Sequence, residues 1–149
     1  LVDMIRKATI EDLNEVHGIE SVSFKDPYPR GFLKALFQIY PETSLVAMRD
    51  EQVIGYIIAS SDRDDGHLIS IAVHPRERRQ KVGEALIKKL LAILHKQKIT
   101  LLRLEVRKSN EIAQIFYKKL GFEFSHVIPQ YYYDEDGWAF YKTVDKAVR

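Results

Sequence analysis

An α/β (α+β) fold is predicted, with a mixed, mostly antiparallel central sheet and elements in the order βααβββαβαββ. Short β-branched runs alternate with stretches whose apolar residues recur every three to four positions. One run, Leu68-Ile69-Ser70-Ile71-Ala72-Val73, is closed by Pro75 and followed by a basic turn, after which Val82, Leu86, Leu90, Ile93 and Leu94 recur at helical spacing. Strand, turn and helix thus follow one another directly. A helix starting there offers unpaired backbone N–H groups and the positive end of its dipole. Arg76, Arg78, Arg79 and Lys81 add four positive charges within six residues, which makes the turn a candidate phosphate cradle.

The other elements follow in order. Met4 to Ala8 reads as a strand. Thr9-Ile10-Glu11-Asp12 has the form of a capping box with Asp in place of Glu, and the helix it opens carries Leu13, Val16 and Ile19 on its apolar side. Pro27 and Pro29 disfavour helix in the residues before them, so Phe24 to Pro29 is a loop. A second helix runs from about Arg30 to Tyr40. Leu45 to Met48, a turn at Asp50-Glu51, and Val53 to Ile58 form a hairpin, and Asp62 to Gly66 turns the chain into the strand before the cradle. Beyond the cradle helix, Thr100 to Val106 is a buried strand. Ser109 is placed to cap the next helix, which has Ile112, Ala113, Ile115, Phe116 and Leu120 as its apolar side and Gly121 as its stop. Phe122 to Val127 and Trp138 to Val144 are the last two strands, around a loop containing Tyr131-Tyr132-Tyr133.

Composition bounds the function. The 149 residues, 46% hydrophobic and 30% charged, fit one globular domain over residues 1–149. No apolar run approaches a membrane span and the N-terminus lacks a signal-peptide pattern, so a cytoplasmic protein with no membrane partner is expected. The absence of cysteine removes disulfides, thiol catalysis and thiolate metal sites. A formal charge of +2, from 23 basic and 21 acidic side chains, argues against a nucleic-acid partner. The five histidines show no metal-ligand spacing, and no metal is expected. A homo-oligomer is left open.

The element order and the turn together resemble the GNAT superfamily of acetyl-coenzyme-A-dependent N-acetyltransferases, over nearly the whole chain. The family's turn is Arg or Gln, two residues, Gly, one residue, then Gly or Ala. Here it falls on Arg78, Lys81 and Gly83, with Lys81 in place of the first Gly. Either that position needs no positive φ, or Lys81 brings charge toward a phosphate. Leu104-Glu105-Val106-Arg107-Lys108-Ser109-Asn110 and Ile115-Phe116-Tyr117-Lys118-Lys119-Leu120-Gly121-Phe122 resemble the RimI and archaeal Ard-type branch, which acetylates protein N-termini. The acidic pair common in relatives after the Asp-Gly turn is missing, since Asp136-Gly137 leads into Trp138-Ala139.

The resemblance implies a V-shaped opening between the fourth and fifth strands, where acetyl-coenzyme A binds. It assigns Ile71, Ala72 and Val73, then Arg78, Arg79, Gln80, Lys81, Val82, Gly83, Glu84 and Ala85, and also Asn110 and Tyr117, to the coenzyme. For Asn110 a share in the helix cap is the alternative. Glu105 becomes the general base, through water, and Tyr117 the acid that protonates the departing sulfur. Tyr28, Tyr131 and Tyr132 are implied to flank the acceptor, a protein or peptide N-terminus. The alternatives are a small amine (polyamine, amino acid or antibiotic), a lysine side chain, or an acyl-coenzyme-A-binding module without turnover. Chemistry favours an α-amine. Neutralising it at pH 7 costs roughly 1 kcal/mol, against roughly 4–5 for a lysine, from their ordinary pKa values.

Overall fold

The computed structural model describes residues 2–78 and 81–144. Arg79 and Gln80, assigned above to the cradle, lie outside them. The elements are β1 (Met4–Lys7), α1 (Leu13–Ser23), α2 (Arg30–Ile39), β2 (Ser44–Arg49), β3 (Gln52–Asp62), β4 (Asp65–Val73), α3 (Val82–Lys96), β5 (Leu101–Arg107), α4 (Glu111–Lys119), β6 (Glu123–Ile128) and β7 (Gly137–Thr143). This is the predicted order, and the predicted boundaries mostly shift by a residue or two.

Local chemistry sets the turns. The β2–β3 hairpin closes on Asp50 and Glu51, both left-handed at φ 50° and 63°, and two such residues give a turn whose twist matches that of the paired strands. Asp12 accepts from the Thr9 N–H (2.8 Å) and hydroxyl (3.3 Å), so the acidic half of the capping box forms, above a single 3-10 turn that leads into α1. The cap of the last helix differs from expectation. Asn110, not Ser109, caps α4, its side-chain oxygen accepting from the Ala113 N–H at 3.1 Å. The Ser109 N–H and hydroxyl both donate instead to Glu135, each at 2.9 Å. Gly121 ends α4 at φ 94°.

Among the described residues one sheet runs in the order β1-β2-β3-β4-β5-β7-β6, with every neighbour antiparallel except β4 and β5. Two apolar layers cover it. Leu86, Leu90 and Leu94 of α3 and Tyr117 of α4 pack with Ile57, Leu68, Leu104 and Phe140 on one face. Leu13, Val16, Leu33 and Phe37 of α1 and α2 pack with Val46, Tyr56 and Ile58 on the other. Side chains alternate between these faces along a strand, but a bulge opposite Ile58 and Ala59 interrupts the alternation in β4. Leu68 therefore faces α3, while the consecutive residues Ile69 and Ser70 both face the α1 and α2 side.

Asp12 is buried, and burial opposes its charge. Hydrogen bonds from Arg6 and Thr9 outweigh that effect and hold its carboxyl below the usual 3.8. A group with a depressed folded pKa adds stability above its unfolded value and loses it as pH falls through the folded one. Asp12→Asn should cost about 1–2 kcal/mol at neutral pH. Urea unfolding of the variant and the parent should converge as pH drops below 3.8.

Candidate active site

The parallel pair β4–β5 lasts three residues, Asp65↔Leu101, Gly66↔Leu102 and His67↔Arg103, and the strands then part. Beyond His67, β4 pairs only with β3, while β5 continues beside β7 through Arg107↔Gly137. One edge of the β4 backbone, including Ile71, Ala72 and Val73, is left without a strand partner in the middle of the sheet. This is the opening expected between the fourth and fifth strands.

Along β5, Leu102, Leu104 and Val106 enter the α3-side core, which turns Arg103, Glu105 and Arg107 to the opposite face. The Glu105 carboxylate lies 2.6 Å from His67 Nε2, accepts from the Tyr131 hydroxyl at 3.2 Å, and has Arg103 Nη1 at 3.6 Å. Burial pushes this carboxyl up. The His67 hydrogen bond and charge, then Tyr131 and Arg103, outweigh burial and leave it below the usual 4.5. Tyr131 responds in the opposite direction, pushed up to about 12 by its own burial and then by the neighbouring carboxylate.

His67 is the partner that sequence reading missed. It lies 38 positions from Glu105, and only the β4–β5 register joins them. The two flanking loops meet at Arg107. Its guanidinium bonds Asp26 at 2.9 Å on one loop and Asp134 and Glu135 at 2.8 and 3.2 Å on the other, and lies 4.6 Å over the Tyr132 ring. Lys25 adds an ion pair to Asp134. Tyr28, on the first loop, packs against Phe32 at 4.8 Å between ring centres, and its hydroxyl pKa is raised by burial and then by Glu20 and Glu105.

At the other end of the opening, the first bond of α3 runs from the Ala85 N–H to the Lys81 carbonyl, so the Val82, Gly83 and Glu84 N–H groups have no acceptor within the helix. Lys81 sits at φ 61°, ψ 22°. The left-handed conformation that the family's glycine would supply is therefore present here on a side chain that pays for it. Gly83 has an ordinary φ, but a Cβ there would come within 3.2 Å of the Phe116 ring, so its smallness serves the contact between α3 and α4. Val82 is buried in the core, and the Glu84 side chain pairs with Lys88 at 2.9 Å. Arg78 Nε bonds the Val73 carbonyl and its Nη2 the Ser23 hydroxyl, both at 3.1 Å. The cap occupies the Asn110 oxygen and leaves its NH₂ to donate. Tyr117 is buried edge-on to Phe116 and Phe122, and burial raises its pKa, which keeps the hydroxyl protonated at neutral pH.

Unpaired strand backbone, helix N–H groups and clustered positive charge fit an extended ligand with amides at one end and phosphates at the other. A family model described as the acetyltransferase (GNAT) family matches residues 13–122. An uncharacterised N-acetyltransferase of Methanocaldococcus jannaschii is 38% identical over 90% of this chain and 85% of its own length. A putative ribosomal protein bS18 alanine N-acetyltransferase of Bacillus subtilis is 31% identical over 95% and 96%. The crystal structure of Ard1 from Thermoplasma volcanium superposes with a TM-score of 0.93 at 31% identity, covering 96% of this chain and 98% of that one. The chain belongs to the GNAT family and is an acetyl-coenzyme-A-dependent N-acetyltransferase. The resemblance to RimI and archaeal Ard-type enzymes holds as well. Among the described residues no helix is long and apolar enough to cross a membrane.

Lys81 separates strain from binding. Lys81→Gly removes a left-handed side chain, which should raise the melting temperature by about 2–5 °C. The same change should weaken acetyl-coenzyme A binding about threefold in low salt and less in high salt, if the ammonium acts on phosphate. Thermal melts and calorimetric titration read the two effects independently.

Proposed function

We propose that this enzyme transfers acetyl from acetyl-coenzyme A to the N-terminal α-amine of proteins or peptides, by direct attack in a ternary complex. The observation that carries this reading is the half-buried Glu105, held by His67 and Tyr131 between two aromatic loops on the face opposite the cradle helix. The names of the relatives support it, since the Bacillus subtilis protein is called an alanine N-acetyltransferase of a ribosomal protein.

The coenzyme supplies a thioester whose carbonyl carbon accepts the amine and whose sulfur departs. The backbone of Ile71 and Val73 would hold its amides as an added strand would, and the N–H groups of Val82, Gly83 and Glu84, with Arg78 and Lys81, its phosphates. Arg79 and Gln80 belong to the same proposed cradle. Glu105 takes the proton of the attacking amine through water, and His67 and Arg103 keep its carboxylate ionised into mild acid. Tyr117 donates its proton to the sulfur from the α3 and α4 side. Base and acid thus act from opposite faces of the sheet, across the gap between β4 and β5. Tyr28 and Tyr131 form the two walls of the acceptor site. Tyr132 joins Tyr131 on its side of the acceptor site, packed edge-on to it at 4.9 Å between ring centres with the Arg107 guanidinium over its ring.

A peptide with a free N-terminus and an internal lysine should be acetylated at the α-amine at least about tenfold faster, as read by mass spectrometry, because the lysine begins several kcal/mol behind in deprotonation. Equal reaction of an N-blocked, lysine-containing peptide or of free spermidine would move the assignment to a lysine or small-amine acetyltransferase.

Tyr117→Phe should lower turnover by on the order of 10²-fold with coenzyme affinity preserved, and Glu105→Gln should lower it with partial recovery at higher pH. Changes under about threefold in both would place the chemistry elsewhere. Because Glu105 titrates below 4.5, the acid limb of kcat/KM should follow the substrate α-amine. It should move with that amine's pKa across a peptide series.

A further inference from the structure

Glu20, on α1, is 2% exposed and takes no part in the chemistry above. Asp12, the other buried carboxylate of this region, is matched by Arg6; the donors to Glu20 are all neutral. Its Oε1 accepts from the hydroxyls of Tyr56 on β3 and Ser70 on β4, the latter at 2.8 Å, and these two hydroxyls lie 3.0 Å apart. Its Oε2 accepts the backbone N–H of Tyr28 at 3.0 Å. Ser70 reaches it only because the β4 bulge turns Ile69 and Ser70 to the same face.

A fully buried carboxylate is costly to keep, and here it spans three elements and one loop. Two of its partners are rigid sheet residues, Tyr56 at 0% exposure and Ser70 at 5%. The third is the main chain of the residue that walls the acceptor site. Loop segments are mobile unless their backbone is tied down, and a carboxylate with two fixed donors on one oxygen can tie a chain with the other.

We propose that Glu20 is the positioning residue of the acceptor wall, fixing Tyr28 to the sheet so that its ring and hydroxyl keep their place at the acceptor site. The proposal rests on the reading of Tyr28 as a wall of the amine site. Tyr28 feels both carboxylates, since the charges of Glu20 and then Glu105 add to burial in raising its hydroxyl pKa.

The chemistry of the pair predicts a specific lesion. A leucine at this position keeps nearly the same volume and accepts from neither side. Tyr56 and Ser70 can then bond each other across 3.0 Å, whereas the Tyr28 N–H loses its acceptor.

Glu20→Leu, Glu20→Asp and Tyr28→Ala would be compared for peptide KM, kcat and coenzyme affinity, with amide hydrogen exchange at Tyr28 followed by NMR. In the unaltered enzyme the Tyr28 amide should exchange as slowly as sheet amides, although it belongs to no strand or helix; exchange at loop rates overturns the proposal without any variant. Glu20→Leu should raise peptide KM about five- to tenfold, leave kcat at saturation and coenzyme affinity within about twofold, and speed Tyr28 exchange at least about tenfold. Glu20→Asp, too short to span both sides, should act alike and serves if the leucine variant does not fold. Tyr28→Ala should raise KM similarly, and the double variant no further. A stability loss in Glu20→Leu with KM unchanged, where Tyr28→Ala does raise KM, overturns the role of Glu20 alone. An unchanged KM in Tyr28→Ala overturns the wall itself, and with it the proposal.

Discussion

β4 and β5 share three paired residues and then separate, which leaves one edge of β4 unpaired in the middle of a seven-stranded sheet. Buried backbone groups need partners, so this edge is a standing template for an extended ligand with amide groups of its own. The separation also connects the two faces of the sheet. Without it, Glu105 and Tyr117 would be divided by a continuous layer of backbone. A parallel pair needs a crossover connection, and here the crossover is α3, whose N-terminus therefore arrives beside the same gap.

Parity along the strands decides which side chains can cooperate. Glu105 projects from the face opposite Leu104 and Val106, toward α1, α2 and the two aromatic loops. His67 meets it from β4, where the pairing ends. The β4 bulge then resets the alternation and brings Ser70 under α1, where Glu20 receives it. A single extra residue thus serves both the site and its support, at the cost of one interrupted ladder position.

Charge is distributed differently at the two ends of the opening. On the acceptor side, one guanidinium gathers several carboxylates: Arg107 takes Asp26, Asp134 and Glu135 from two loops and stacks on Tyr132. The Asp26 and Asp134 carboxylates are exposed, and exposed pairs contribute little stability individually; the effect of these contacts is to hold two loops at a common point. At the cradle end, positive charge accumulates, and Lys81 keeps a left-handed conformation that costs roughly 1 kcal/mol relative to glycine. Strain of this kind persists where the surrounding structure imposes it, here between the turn and the first residues of α3.

The sequence by itself determined the element order, the turn before α3 and the two motifs around Glu105 and Tyr117, because periodicity, proline and glycine placement and short contiguous patterns are local properties. It left the Lys81 conformation undecided and placed the α4 cap on Ser109, since adjacent polar residues compete for one cap and only the chain's path settles which bends inward. Tertiary structure chose Asn110 and sent Ser109 to Glu135. It also revealed that Gly83 answers to Phe116, 33 positions away along the chain, and that His67 stands at Glu105. Contacts of that kind depend on strand register and on a bulge that reverses side-chain parity, and neither leaves a mark in the residues that finally touch.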